Sequence, residues 1–250
     1  MLISDTGAFE FGLDLDVPAR SLQGKRVLIT GITSRSGIDV SRSFVEAGAR
    51  VILQCDEVSP VTQALAELLA PDAAELSVHV TGMTTNDEIL AFARKAVAEF
   101  GGLDMVINVV HLDGGAPEGN ASYEAIEARV SDVLLKACLV SRVAANRMRL
   151  LMTDGVILTV ATLSAAATQS ERAFAQVVRS TLAAMTRAEA EAWADKDIRF
   201  NAVAPDVLGI VARPESGSEA DVAQLALYLA AGRGEALSGQ TFELGLLSRG

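Results

Sequence analysis

A glycine- and serine-rich turn holds the first residues whose types and spacing could do chemistry. It contains Gly31, Ser34, Arg35, Ser36 and Gly37 and directly follows an apolar run. Small residues let a backbone turn sharply into the start of a helix, where free N–H groups and the helix dipole favour an anion. The turn therefore predicts a cradle for a pyrophosphate group, with these five residues as candidate ligands.

The order of elements along the chain positions this turn. Apolar runs predict seven strands, at residues 25–30, 50–55, 77–80, 105–110, 155–160, 198–203 and 240–244. Helical spacing of apolar residues predicts six helices, at residues 40–47, 61–69, 87–100, 123–151, 171–193 and 220–230. Because parallel strands need a returning helix, we expect an α/β fold, a Rossmann-like doubly wound parallel sheet in three layers. It forms a single domain over residues 25–250, after a polar arm over residues 1–24, and binds ligands at the carboxyl ends of its strands.

Composition narrows the class of partner and the compartment. The 250 residues carry a net charge of −11, with 32 acidic against 21 basic residues and no basic run, so we expect no nucleic-acid and no anionic-membrane surface. No apolar stretch is long enough to span a membrane. Cys55 and Cys138 show no metal-ligand spacing, so we predict no metal site, no disulfide framework and a cytoplasmic protein.

Four features together resemble the short-chain dehydrogenase/reductase family. They are the glycine turn, Asn108 at the end of the fourth predicted strand, and the runs Ile198-Arg-Phe-Asn-Ala-Val-Ala-Pro205 and Leu237-Ser-Gly-Gln-Thr241. The resemblance extends from about Lys25 to Gly245. It implies a tetramer that binds NAD or NADP, in which a Ser-Tyr-Lys set aided by an Asn transfers a hydride to or from a carbonyl carbon.

This chain departs from that family at its catalytic positions. Thr162 stands at the serine and Val133 at the asparagine. The usual spacing counted onward from Thr162, and an ungapped register counted back from Trp193, both place Ala175 at the tyrosine and Arg179 at the lysine. Alanine cannot move a proton, and arginine does not titrate in the useful range. The resemblance therefore implies a site without catalytic residues and with impaired hydride transfer.

The candidate cofactor contacts are reduced but not absent. Arg35 replaces the family's middle glycine, and it either pairs with a phosphate, which would suit NADP, or is a solvated arginine in a damaged turn. Asp56 either accepts from an adenosine ribose hydroxyl or is an exposed turn carboxylate. Asn108 and Arg179 complete the set, with Arg179 able to hold a ribose hydroxyl. We expect binding of NAD or NADP that is weak or lost.

His111 follows the fourth predicted strand in place of a family glycine. An imidazole there could exchange a proton near neutral pH, alone or with Thr162. The alternative is that His111 only closes its loop with Asp113, and we favour that interpretation.

One alanine-rich helix offers a surface for association. The helix at residues 171–193 carries apolar residues on more than one face, which predicts burial against a partner helix as well as the sheet, with ordinary core packing as the alternative. The resemblance implies that this helix and the one at residues 123–151 form a subunit interface. The partner would be a second copy, giving a homodimer or homotetramer, or an active paralogue. Three hypotheses follow: an impaired member that acts by dinucleotide binding or association, an active oxidoreductase with a rebuilt proton donor, and a scaffold subunit that binds no nucleotide.

Overall fold

Seven strands form one parallel sheet in the computed structural model, which describes residues 20–33, 37–117, 121–164, 166–205 and 219–244. The spatial order is β3-β2-β1-β4-β5-β6-β7, and every neighbouring pair is parallel. The strands are β1 (Arg26–Ile32), β2 (Arg50–Cys55), β3 (Glu75–Val80), β4 (Met105–His111), β5 (Gly155–Thr162), β6 (Ile198–Pro205) and β7 (Thr241–Leu244). The expected doubly wound fold is confirmed.

Within the described residues, six α-helices return the chain between the strands. They are α1 (Ile38–Glu46), α2 (Pro60–Leu69), α3 (Asn86–Glu99), α4 (Tyr123–Leu151), α5 (Gln169–Trp193) and α6 (Glu219–Ala230), with short 3-10 turns at Ala194–Lys196 and Gly232–Gly234. Side-chain caps define several starts: Ser59, Thr85 and Thr168 each form a capping box with a residue three positions on. Gly37, before α1, offers no side-chain cap.

The helices lie in two layers, one on each face of the sheet. One core cluster joins the sheet to α1, α2 and α6 and includes the fully buried Phe44. Two clusters on the other face join it to α3, α4 and α5. Burial on both faces explains why the central strands read as continuous apolar runs rather than as alternating patterns.

The strands extend further at their carboxyl ends than apolar patterning predicted. β1 continues through Gly31 to Ile32, β4 reaches His111 and β5 reaches Thr162. Asn108 lies inside β4, paired with Thr30 and Thr159, as the predicted range 105–110 already implied, and it does not end the strand. Backbone pairing with two flanking strands extends a strand beyond its last apolar residue, because each added residue satisfies N–H and C=O groups.

Two classes of site are not found among the residues described. No helix within them is long and apolar enough to cross a bilayer. No group of three or more His, Cys, Asp and Glu side chains in the described ranges could hold a metal ion. Cys55 is buried, and that burial, with the nearby Asp56 charge, raises the pKa of its thiol to about 11, so the thiol stays protonated at neutral pH.

Candidate functional site

The candidate site lies where the strand order reverses. The chain leaves β1 toward β2 and β3 on one side and returns to β4 on the other, so the switch point, called the crevice below, lies between the carboxyl ends of β1 and β4. In open α/β sheets this switch point is the usual place for a ligand. Gly31 has a positive φ of 78° and lies so close to β4 that a Cβ would meet the Val109 carbonyl oxygen at 2.0 Å. The sheet therefore requires glycine there.

The two outer glycines of the predicted cradle donate their amides to the protein itself. Gly31 N–H donates to Gln54 Oε1 at 2.8 Å, and Gly37 N–H donates to Glu219 Oε1 at 2.5 Å. Glu219 Oε1 also accepts from the Asp39 amide at 3.3 Å. Ser34, Arg35 and Ser36, the other predicted ligands, lie outside the described residues.

Asp56 lies after β2, as the ribose interpretation requires, but its carboxylate is engaged. Lys136 Nζ donates to Asp56 Oδ1 at 2.8 Å, and Gln54 Nε2 donates to the same oxygen at 3.0 Å. Lys136 also donates to the Gly82 carbonyl at 3.1 Å. The carboxylate is half-buried rather than a solvated turn group, and it ties α4 to the end of β2.

Asn108 occupies a buried network beneath the crevice. Its side chain accepts from Thr30 Oγ1 at 3.0 Å and donates to Ser141 Oγ at 2.9 Å, and the residue is 1% exposed. These contacts join β1, β4 and α4. The amide supports the floor of the crevice and does not project into it.

His111 and Thr162 meet across the ends of β4 and β5. His111 Nε2 lies 2.6 Å from the Gly31 carbonyl oxygen, and Nδ1 lies 3.1 Å from Thr162 Oγ1. A carbonyl oxygen only accepts, so Nε2 carries the proton, and in the neutral ring Nδ1 accepts from the Thr162 hydroxyl. Asp113 instead accepts from the Ser164 amide at 3.0 Å. The expectation that His111 pairs with Asp113 is wrong, because the extended β4 turns the imidazole toward β1 and β5.

The position that the resemblance assigns to the family tyrosine is buried. Ala175 is 0% exposed, in a cluster with apolar side chains of β4, β5, α4 and α5, and Val133 packs against the same cluster. The two tyrosines of the chain lie elsewhere: Tyr123 begins α4 and is 75% exposed, and Tyr228 packs on the opposite face of the sheet. Neither tyrosine is part of the cluster around Ala175.

Arg179 pairs with an acid on the last strand. Its guanidinium forms an ion pair with Glu243 of β7. Its Nε is buried without a hydrogen-bond partner among the described residues. Arg179, Glu243 and neighbouring residues of α5 and β7 line a cavity of about 310 Å³. The expected ribose contact would have to compete with this ion pair.

The described residues do not fit a dinucleotide as they stand. Of the predicted cradle, the two residues that the structure describes, Gly31 and Gly37, both donate their amides to the protein's own oxygens, and the Asp39 amide in the first turn of α1 does the same. The His111 imidazole also spans the crevice from β4 to Gly31. An entering pyrophosphate would have to displace the Glu219 carboxylate.

The fold and the crevice define the class of doubly wound α/β proteins built on the dinucleotide-binding plan. The model of the short chain dehydrogenase family matches residues 25–218, and the chain belongs to that family.

The similar proteins are distant. Galactitol 2-dehydrogenase of Agrobacterium fabrum is 27% identical over 189 residues, 75% of this chain and 72% of that protein. The 3alpha-hydroxysteroid dehydrogenase of Mediterraneibacter gnavus is 25% identical over 238 residues, 88% of this chain and 94% of that one. Among solved structures, a hydroxysteroid dehydrogenase from Escherichia coli superposes with a TM-score of 0.71 at 24% identity, covering 90% of this chain and 96% of that chain.

Sequence reasoning missed four residues that shape the site: Gln54, Lys136, Glu219 and Glu243. Each acts on a residue distant in sequence, as Lys136 does on Asp56 across 80 positions and Glu219 on Gly37 across 182. The charged members stand in helices and strands where a solvated side chain is the ordinary expectation. Only a polar Gln54 inside an apolar strand gave a signal, since buried polar groups require partners.

Proposed function

We propose that this chain is a short-chain dehydrogenase/reductase that is impaired in standard hydride transfer and acts through residual dinucleotide binding or through subunit association. The observation that carries the proposal is Ala175, a fully buried methyl group at the position that the family resemblance assigns to the catalytic tyrosine. Carbonyl reduction needs a proton at the oxygen as the hydride reaches carbon, and a positioned donor contributes a factor of about 10²–10⁴ to the rate. This chain has no such donor at that position.

The other two replacements support the same proposal. Arg179 keeps a positive charge but pairs with Glu243, so its guanidinium is drawn toward β7. Val133 is apolar and cannot hold a proton-relaying water.

The named relatives act on galactitol and on hydroxysteroids. If activity remains in this chain, a secondary alcohol or its ketone is therefore the substrate class to test.

Association is the second half of the proposal. The outward face of α5 carries exposed apolar residues at helical spacing, Ala173, Val177, Ala184 and Ala188. Val177 is 43% exposed. Such a face favours a partner helix, from a second copy in a dimer or tetramer or from an active paralogue, in a cytoplasmic setting. Light scattering of the purified protein over a dilution series tests it, and a monomer at every concentration would oppose self-association.

We expect that restoring the lost pair does not restore activity. We compare the rate of NADH or NADPH oxidation in the presence of ketosteroids and ketoses. In the double variant Ala175→Tyr with Arg179→Lys, this rate should exceed that of wild type by less than about tenfold. Val133, His111 and Glu219 still disturb the site, and a buried tyrosine must force the α4–α5 cluster apart. The measurement is initial rate by absorbance. Ala64→Tyr, at an exposed position of α2, controls for the added phenol. Robust reduction by the double variant would contradict the proposal.

Calorimetry separates the cofactor-binding form of the proposal from a scaffold role. Titration with NADH and with NADPH should give weak but saturable heat if residual binding remains. The absence of saturation at millimolar cofactor would leave association as the function and would support a subunit that binds no nucleotide.

A second candidate function has one observation in its favour. The Thr162–His111–Gly31 chain of hydrogen bonds orders a hydroxyl, a base and a carbonyl that orients the base. In alcohol oxidation the imidazole would accept the substrate proton through Thr162, and in reduction the same relay would run in reverse. This is the arrangement that an oxidoreductase with a rebuilt proton donor needs.

Variants of this pair decide between the two candidates. Under the proposed function, His111→Gln and Thr162→Val leave the background rate of cofactor oxidation unchanged, because there is no turnover to lose. Thr162→Ser, which keeps the hydroxyl, is the matched control. If the rate of cofactor oxidation fell by about tenfold or more in His111→Gln and Thr162→Val but not in Thr162→Ser, the rebuilt oxidoreductase would be favoured.

A further inference from the structure

The start of α1 is occupied by an acidic side chain from the other end of the chain. Glu219, the first residue of α6, places Oε1 2.5 Å from the Gly37 amide and 3.3 Å from the Asp39 amide. Gly37 precedes α1 with a φ of 93° and no side-chain cap of its own. Glu219 therefore supplies from a distance the acceptor that a helix start requires.

The position has a defined meaning in this class of fold. The amides at the start of the first helix, with the positive end of its dipole, form the place where a dinucleotide's pyrophosphate binds. A carboxylate and a phosphate satisfy these donors in the same way. Two anions cannot share them, because like charges a few ångströms apart repel strongly in a half-buried crevice.

We infer that Glu219 is an internal anion that holds the phosphate position and competes with any dinucleotide for it. This inference rests on the proposed function, since it explains how a chain with the family fold keeps only weak cofactor binding. Binding then requires the Glu219 side chain to leave the start of α1, and its removal raises affinity.

The surroundings of the carboxylate make displacement feasible. Burial, and then the charge of Asp39, raise the pKa of Glu219, while hydrogen bonds from the amides at the start of α1 lower it in part. Keeping the Glu219 carboxylate ionised in this half-buried place costs desolvation free energy. That free energy is regained when the side chain moves into water. Asp39 itself forms an ion pair on the exposed side of α1, with Arg42 Nη1 3.5 Å from Asp39 Oδ1.

The test is Glu219→Gln, which keeps the shape and an accepting oxygen but removes the charge. Calorimetry with NADH, NADPH and inorganic pyrophosphate should show affinity at least about tenfold higher than in wild type. Glu124→Gln changes an acid in the first turn of α4, far from α1 in the chain, and is the matched control for net charge. Unchanged or weaker binding of all three probes by Glu219→Gln would overturn the inference.

A second variant guards against loss of folding. Glu219→Asp keeps the charge on a shorter side chain that cannot maintain the 2.5 Å contact, and circular dichroism confirms that each variant is folded. We expect its affinity for pyrophosphate to lie between those of wild type and Glu219→Gln. An affinity below that of wild type would count against competition.

The result is independent of the proposed loss of catalysis. Efficient turnover by wild type would refute the proposed function whatever Glu219→Gln binds. Equal binding by wild type and Glu219→Gln, with no turnover in either, would refute only the role of Glu219.

Discussion

Gly31→Ala is expected to destabilise the protein by about 3–5 kcal/mol. Gly31 has a φ of 78°, where an L-residue is strained, and the new methyl carbon would stand 2.0 Å from the Val109 carbonyl oxygen. That oxygen belongs to β4, which pairs with β1 at the centre of the sheet, so it cannot move without separating the two strands. Urea unfolding followed by circular dichroism measures the loss.

Gly101→Ala is the matched control for this variant. Gly101 has nearly the same φ, 77°, but nothing lies within 4 Å of the added methyl. It should lose only the backbone part, about 1–2 kcal/mol. Equal losses in the two variants would show that β4 yields to the methyl group and that the tight β1–β4 contact is not what requires glycine at the crevice.

Asp104→Asn is expected to destabilise the protein by about 2–4 kcal/mol. Asp104 Oδ1 accepts from Arg26 Nη2 at 2.7 Å, and Oδ2 accepts from Arg26 Nε at 2.9 Å and from the Arg26 amide at 2.8 Å. The two side chains are only 21% and 12% exposed. An asparagine leaves the guanidinium without its charge partner where β1 and β4 begin, and thermal or urea unfolding reports the loss.

The same pair makes stability depend on pH. Burial acts to raise the pKa of Asp104, but the hydrogen bonds and charge of Arg26 outweigh it, so the pKa lies below its ordinary value. The stabilisation that the Arg26–Asp104 pair gives to the folded protein is therefore complete above about pH 4, and it is lost as pH falls through the lowered pKa of Asp104 in the folded state. In Asp104→Asn, stability should depend less on pH in this acid range.

Asp132→Asn is the control in an exposed pair, where Arg129 Nη1 lies 4.0 Å from Asp132 Oδ2. It should change stability by about 0.5 kcal/mol or less.

The sheet and the helices were predictable because local patterns encode them. Continuous apolar runs marked strands buried on both faces, and helical spacing of apolar residues marked the helices. The strand ends were less predictable. His111 and Thr162 are polar, and only pairing between β4 and β5 draws them into the sheet.

The sequence by itself determined the family and the doubly wound fold. It also predicted, by counting from Thr162 and from Trp193, that Ala175 and Arg179 stand at the family's tyrosine and lysine positions. The residue type alone also shows that an alanine side chain has no group that can donate or accept a proton.

Only the tertiary structure decided what now fills the crevice. Glu219 reaches Gly37 across 182 residues, Lys136 reaches Asp56 across 80, and His111 bridges Gly31 and Thr162. Such pairs form because the sheet brings distant strand ends to one edge, where buried amides and carboxylates must find partners. A sequence pattern records which groups need partners, and the packing of the folded chain selects them.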